Sequence, residues 1–321
     1  MTVRIEKPAI NVREELADLR KPTGLAGEAM LRAETPQEQF NLIGAGRRNL
    51  IINGDFQVSQ RGDYTSSTSV TSGNYYVDRW AITTSGVTAN MIHSLATLPN
   101  GAKTKSIRVT ATSSNTGYLE LRQIVEDYLQ ISGQELMWSA WIRTNMASVG
   151  FRHNGHTDFG DKVYNDGQWH YITSRYTMDE PSSGSGANTA FSIISYNNAP
   201  VSISSGDYFE VAQVQLELGK VPTPFEHRSY GEELALCQRY YEEVPFGRIT
   251  GYHTATVRAG FQWKVDKRAA PTVTFSSSVL STGASTTLST GNVTTYGMSV
   301  NASVGSPSSG IASQISIDAE L

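Results

Sequence analysis

Polar and apolar positions alternate with period two through most of the chain, as they do in strands with one wet face and one buried face. Ile107-Arg108-Val109-Thr110-Ala111-Thr112 alternates in this way, and so does Tyr118-Leu119-Glu120-Leu121-Arg122-Gln123-Ile124-Val125. Leu136-Met137-Trp138-Ser139-Ala140-Trp141-Ile142-Arg143 fits a core strand. Trp138 and Trp141 fall on its opposite faces, one packing inside and the other lining a concave surface. Trp169-His170-Tyr171-Ile172-Thr173-Ser174-Arg175-Tyr176 and Ala190-Phe191-Ser192-Ile193-Ile194-Ser195-Tyr196 continue the sheet, with a turn at Asp166-Gly167. Beyond residue 246 the alternation returns in Val257-Arg258-Ala259-Gly260-Phe261-Gln262-Trp263-Lys264-Val265, in Pro271-Thr272-Val273-Thr274-Phe275 and over residues 311–317. The intervening stretch 276–310 is rich in Ser, Thr and Gly, yet Val293, Met298, Val300 and Val304 keep an apolar rhythm. It is read as part of a small ordered β-domain with long loops.

The period becomes helical near the amino terminus and again around residue 234. Asn11 can cap a first turn closed by Glu14, and Val12, Leu16 and Leu19 recur at helical spacing until Pro22 and Gly24. A second short helix is expected over residues 28–33, and a third starts at Thr35-Pro36 and carries Phe40. Helices this short do not hold alone in water. Residues 1–48 therefore read as an arm that docks on a partner, with Val12, Leu16, Leu19 and Phe40 as attachment residues. Residues 228–243 give the clearest helix, capped by Ser229 with Glu232 three positions on. Leu234, Cys237 and Tyr241 share an apolar face with Tyr240 beside it. Leu234, Tyr240 and Tyr241 are candidate contacts between copies of the chain, and Cys237 is a small buried residue of that face.

Composition changes this picture little. Charged residues make up 17% of the 321 positions and the formal net charge is −4, so no attraction to nucleic acid is expected. A single cysteine excludes an intrachain disulfide framework and a multi-cysteine metal site. No window approaches the ~18 apolar residues of a membrane helix, and the first residues do not form a secretory signal. Synthesis and folding in a cytoplasm are expected.

Catalytic chemistry finds no matching motif. His153-Asn154-Gly155-His156-Thr157-Asp158-Phe159-Gly160-Asp161 gathers possible metal ligands, but its Asn-Gly step argues for a turn between strands and its spacing fits no helical metal motif. No nucleophile elbow or phosphate loop is present. Sugar binding has a better physical basis, because flat aromatic rings pack on the C–H faces of pyranoses while polar groups fix orientation. Trp141, Tyr118, Trp169, Tyr171, Tyr196 and Arg143 are the candidates, with Trp80 and Trp138 assigned to the core.

Asn49-Leu50-Ile51-Ile52-Asn53-Gly54-Asp55-Phe56, Trp80, Trp138-Ser139-Ala140-Trp141, Trp169 and the run from Gly206 to Leu216 occur in an order that resembles carbohydrate-binding jelly rolls of the family 4/9/22 type. The resemblance implies an opening strand at residues 49–56 and a closing strand near residue 211. It also implies a structural calcium near these strands. Here Gln57 stands where an acidic ligand is expected and Val211-Ala212 replaces an acidic pair, so no cofactor is expected. Three further pieces make the whole chain similar to bacteriophage virion proteins, tail-fibre-like proteins of marine podoviruses. The first is Pro22-Thr23-Gly24-Leu25-Ala26-Gly27-Glu28-Ala29 with Leu31-Arg32-Ala33-Glu34. The second is Pro224-Phe225-Glu226-His227-Arg228-Ser229-Tyr230-Gly231-Glu232-Glu233-Leu234 with Cys237-Gln238-Arg239-Tyr240-Tyr241. The third is Lys267-Arg268-Ala269-Ala270-Pro271-Thr272 with Asp318-Ala319-Glu320-Leu321. This similarity implies a subunit of a particle, usually trimeric and facing the host surface.

The expectation is a mainly β protein in four parts. Residues 1–48 form a helical arm that binds other virion proteins, 49–227 a jelly roll, 228–245 a linking helix and 246–321 a smaller β-domain. Its expected role is non-enzymatic adhesion of a virion appendage to a host glycan, as a homotrimer. A capsid-decorating or head-fibre protein is the structural alternative, and a glycan-degrading tailspike the enzymatic one.

Overall fold

The computed structural model describes residues 48–126, 131–146, 149–153, 156–158, 165–178, 189–195, 200–251, 256–280, 288–303 and 309–320. The chain divides into two compact units, Met1–Arg48 and Asn49–Leu321. The attachment candidates Val12, Leu16, Leu19 and Phe40 lie outside the described residues, as does Tyr196.

The second unit begins with β1 (Thr68–Ser69), β2 (Asn74–Val77), β3 (Trp80–Ser85), β4 (Ala89–Thr97), β5 (Lys103–Ala111), β6 (Asn115–Val125) and β7 (Glu135–Thr144). It continues with β8 (Gly150–His153), β9 (His156–Asp158), β10 (His170–Thr177), β11 (Thr189–Ile194), β12 (Val201–Ile203) and β13 (Tyr208–Leu218). These strands form two antiparallel sheets among the described residues. One runs β1-β4-β5-β13-β7-β10, and the other runs β2-β3-β6-β11-β8-β9 with β12 beside β6. The expected strands around residues 107, 118, 136, 169 and 190 are β5, β6, β7, β10 and β11. Strands β8 and β9 pair antiparallel on either side of the Asn-Gly step, with His153 opposite His156.

The period-two pattern becomes a jelly-roll sandwich because each strand has an apolar face to hide. Leu136, Trp138, Ala140 and Ile142 of β7 point inward with Ile107 and Val109 of β5 and Phe209 and Val211 of β13. They meet Leu119, Leu121, Phe151, Phe191 and Ile193 of the other sheet. Trp138 stacks on Phe151 with ring centroids 4.9 Å apart and meets Phe191 edge-on at 5.6 Å. Full burial of each large apolar side chain contributes about 1.5–3 kcal/mol.

The expected opening strand takes another form. Residues 49–56 are bends and turns, with Asn53 and Phe56 in the left-handed region at φ 58° and 59°. Asn53 makes this conformation possible, because its side chain accepts from Val58 N and donates to the carbonyls of Val58 and Asp78. The segment still lies along β13. Leu50 N donates to Leu216 O (2.7 Å) and Val214 N donates to Gly54 O (2.8 Å). A Cβ on Gly54 would sit 2.2 Å from the Val214 carbonyl oxygen, so a glycine is required by close backbone approach. Trp80, placed in the core as expected, packs edge-on against Phe56 and donates its Nε1–H to Asn53 O (2.9 Å).

Helix α1 (Tyr230–Gln238) is shorter than the sequence pattern implied. Ser229 caps it by accepting from Glu232 N, as expected, but Tyr240 and Tyr241 leave the helix and enter β14 (Tyr241–Gly251). Pro245 bars the helix from running on through residues 241–245, since inside a helix it would lose a hydrogen bond and clash with the carbonyl four residues back. It is tolerated in β14 because that strand lies at a sheet edge. β15 (Thr256–Gln262), β16 (Thr272–Leu280), β17 (Leu288–Gly291), β18 (Gly297–Ser303) and β19 (Ser309–Asp318) complete the chain. The sheets β14-β19-β16 and β15-β18-β17 enclose Val244, Trp263, Met298, Val300, Ile315 and Ile317. Strands β17 and β18 lie within the Ser/Thr/Gly-rich stretch.

Tyr240 and Tyr241, expected between subunits, are instead buried within one chain, where they join the two sandwiches. The Arg79 guanidinium lies 3.4 Å over the Tyr240 ring and pairs with Glu320. Arg61 lies 3.6 Å over Tyr241 and pairs with Asp318 (3.0 Å) and Glu320 (3.4 Å). Beside them the buried Lys267 ammonium meets Glu242 at 2.7 Å and donates to Gln238 O. Burial lowers the Lys267 pKa, and the Glu242 carboxylate opposes that shift. Arg268 N donates to Arg239 O (3.1 Å) and Ala319 N to Tyr240 O (2.7 Å). The sequence pieces around residues 237–241 and in 267–268 with 318–320 thus meet at one joint.

Asp78 lies against this joint, fully buried, and accepts from Gln60 Nε2 (2.8 Å). Burial pushes its carboxyl up to about 6, with the Gln60 hydrogen bond and the Arg61 charge opposing. The folded state therefore takes up this proton before the unfolded state does on acidification. The stability linked to Asp78 is greatest near pH 4 and is lost as pH rises through 6, by about 3 kcal/mol in all. Asp78→Asn should remove this slope, so its gain over the natural chain in urea unfolding grows from pH 4.5 to pH 7. An equal difference at both pH values would refute the assignment. Gly54→Ala should cost roughly 2–4 kcal/mol and lower Tm by roughly 5–15 °C, measured by thermal melting.

Candidate functional site

Inward placement of Trp138 and Ile142 on β7 forces Ser139, Trp141 and Arg143 onto the outer face of their sheet. Cross-strand register then assembles two rows. In the first, Arg108 of β5 and Arg143 of β7 stand on either side of Glu210 of β13. Arg108 Nε donates to Glu210 Oε2 at 2.9 Å, and Arg143 donates to the same oxygen from Nε (2.9 Å) and Nη2 (2.7 Å). Ser106 Oγ donates to the other oxygen at 2.6 Å. Aromatic rings flank the row. Tyr208 lies 4.0 Å from the Arg108 guanidinium, and Trp169 lies 4.8 Å from that of Arg143.

The second row is Ala212, Trp141 and Tyr171, from β13, β7 and β10. The Trp141 and Tyr171 rings are 5.4 Å apart and tilted by 53°. Ala212 is fully buried beside Trp141, which is itself half-buried. Tyr171 is 42% exposed, which leaves ring surface for a ligand. Its hydroxyl pKa is raised by partial burial, against a hydrogen bond with Ser139. At the rim, Asp166 accepts from Gln168 N and from His170, which lower its pKa in that order.

Four of the sequence candidates, Trp141, Trp169, Tyr171 and Arg143, therefore share one surface. Tyr118 does not. It lies on β6 in the other sheet, and because Leu119 and Leu121 face the core it points away on the far side of the sandwich. Sequence reading missed Arg108, Tyr208 and Glu210. Arg108 sits in an alternating stretch at an outward position, and that was its available signal.

The resemblance to calcium-holding jelly rolls can be tested at the opening segment. A guanidinium occupies the place where a cation would gather oxygens. Arg228 donates from Nη1 to Ile51 O (3.1 Å) and Glu233 (3.3 Å), and from Nη2 to Asn49 O and Glu226 (3.4 Å). Gln57 presents an amide N–H to Asp55 in place of an oxygen ligand. Burial raises the pKa of Asp55 and of Glu233. No group of three or more His, Cys, Asp or Glu among the described residues converges to hold a metal. These residues do not fit calcium, and Arg228 supplies the positive charge from within the chain. His153, from the other considered cluster, is buried with its ring stacked 3.8 Å from that of Tyr176.

No family model matches the chain, and no curated protein matches it. Among solved structures it is similar to TmCBM61 in complex with β-1,4-galactotriose, at 12% identity over 54% of this chain and 100% of that one, with TM-score 0.31. It is also similar to a family 11 carbohydrate-binding module of Clostridium thermocellum, at 16% identity over 48% and 96%, with TM-score 0.27. A third is the Stig cyclase Fisc of Fischerella sp. TAU, at 13% identity over 55% and 99%, with TM-score 0.36. The sandwich architecture stated above rests on the strand pairing of the chain itself. No helix among the described residues is long and apolar enough to cross a membrane.

Arg228→Ala leaves the buried Glu233 carboxylate, the half-buried Glu226 carboxylate and two carbonyls without their cation and should cost about 3–5 kcal/mol. The natural chain should melt at the same temperature in excess chelator as in millimolar calcium. A rise in Tm on adding calcium would contradict the role given to Arg228.

Proposed function

We propose that the chain is a non-enzymatic structural protein of a bacteriophage particle, a tail fibre or similar appendage, that holds a host-surface glycan on the outer face of its first sandwich. The observation that carries the binding half is the pair of rows around Trp141. Tyr171, Trp141 and Trp169 offer flat apolar surface beside hydrogen-bond donors fixed by Glu210, which suits the C–H faces and hydroxyls of a pyranose chain. Glu210 accepts on both oxygens from Ser106, Arg108 and Arg143, so it is committed to positioning. Hydrolysis of a glycoside needs a carboxyl free to exchange a proton.

The particle half rests on the sequence resemblance to tail-fibre-like proteins. In this reading residues 1–48 attach the chain to other virion proteins. Three copies assemble in parallel, and avidity comes from several weak sites. Leu234, half-buried on α1, remains the helix's candidate for that contact.

Trp141→Ala and Tyr171→Ala should each weaken retention on host-derived polysaccharide by roughly ten-fold or more while Tm changes little, measured by affinity electrophoresis and melting. Unchanged retention in both variants would remove the face from consideration. Shortening of the polysaccharide by the pure protein would overturn the non-enzymatic reading, and immunogold labelling of intact particles tests the location.

A further inference from the structure

We infer that the glycan held on this face is acidic and carries carboxylates. The inference rests on the reading of the face as a sugar site and adds the charge of its ligand. The chain as a whole is negative, with a formal net charge of −4, but the Arg108–Arg143 pair departs locally from that balance. Arg108 and Arg143 share the single carboxylate of Glu210, which is itself buried. Each guanidinium is about one-third exposed, at 33% and 32%.

At the other end of β7, Glu135 is shared by Arg175, at 4.0 Å, and Lys220, at 3.3 Å. Glu135 and Arg143 lie on one face of β7, roughly 26 Å apart along an extended strand. Glu217 lies opposite Met137 at that end, so there two cations meet two carboxylates, and the uncompensated guanidinium belongs to the Glu210 row, beside Trp141 and Tyr171.

Two other acids lie near this face, so the excess of positive charge is local to the Arg108–Arg143 pair. Glu217 is buried and accepts from Gln215 Nε2, Thr223 N and Thr223 Oγ1. Asp166 lies at the rim, paired with His170. Arg108 gives Glu210 its Nε–H, and Arg143 gives its Nε–H and one Nη2–H. A guanidinium has five N–H donors in a planar fork, so edges of both remain for a ligand. A hexuronate carboxylate matches that fork in shape and charge, whereas a neutral hydroxymethyl group matches only its hydrogen bonding.

The test compares matched ligands. Oligogalacturonide, oligomannuronate and hyaluronan oligosaccharides are titrated against the full-length protein by calorimetry, each beside its carboxyl-reduced counterpart. At least one acidic form should bind about ten-fold or more tighter than its reduced partner. That preference should shrink on raising sodium chloride from about 0.05 to 0.5 M. Arg143→Gln should bring the acid-to-neutral ratio toward unity. Arg108→Gln, the other member of the pair, should lower it too if Arg143→Gln fails to fold. Equal binding of acidic and reduced forms, or tighter binding of the reduced form, overturns the acidic assignment and leaves the glycan site standing. Failure to bind any acidic or reduced form overturns both.

Discussion

Along β13 the backbone is bonded on both edges, but by different partners at its two ends. Over residues 208–211 the strand lies between β5 and β7. At Gln213, with φ 49°, one extra residue enters β13 and the register against β7 shifts. Beyond it β5 no longer pairs, and the opening segment takes its place through Val214 N to Gly54 O and Leu50 N to Leu216 O. Asn49 completes the exchange, accepting from Leu216 N and donating to Val214 O, both at 3.0 Å. The bulge also resets which face each residue occupies. Val211 and Val214 both reach the core although three positions separate them. Glu210 and Ala212 stay outside, where the charged and apolar rows need them.

A second constraint comes from buried charge. Arg61, Arg79, Lys267 and Arg228 are largely removed from water, and each is answered by a carboxylate, distant in sequence for the first three and local for Arg228. Pairs of this kind add little net stability over apolar packing, but they are costly to separate once formed. They specify one arrangement of the joint and one of the opening segment. The aromatic faces of Tyr240 and Tyr241 support the two arginines at the joint.

Much of this was legible in the sequence where neighbours in space are set by alternation alone. β5, β6, β7 and β10 followed from period two, as did the division of labour between Trp138 and Trp141. What periodicity does not contain is which strand lies beside which. Tyr118 was grouped with Trp141 because both are outward aromatics, yet β6 and β7 belong to opposite sheets. Arg108, Tyr208 and Glu210 escaped notice for the same reason, since their row exists only when β5, β13 and β7 lie side by side. The opening segment was expected to be a strand from its resemblance to carbohydrate-binding jelly rolls, while Asn53 and Gly54 carry the information that it turns. Tyr240 and Tyr241 continue the helical spacing of Leu234 and Cys237, and Pro245, four residues beyond Tyr241, is the local signal that the helix ends sooner.

The reach of Arg228 has a practical side for anyone wishing to excise the first sandwich as an autonomous module. A cut placed after β13, where the sheets end, would discard the one guanidinium that ties down Asn49 and Ile51 and the Glu233 carboxylate that accepts from Asn53 N. It would also strip the tyrosine covers from Arg61 and Arg79. The fragment would keep every strand of its sandwich and still arrive with an unlatched leading edge.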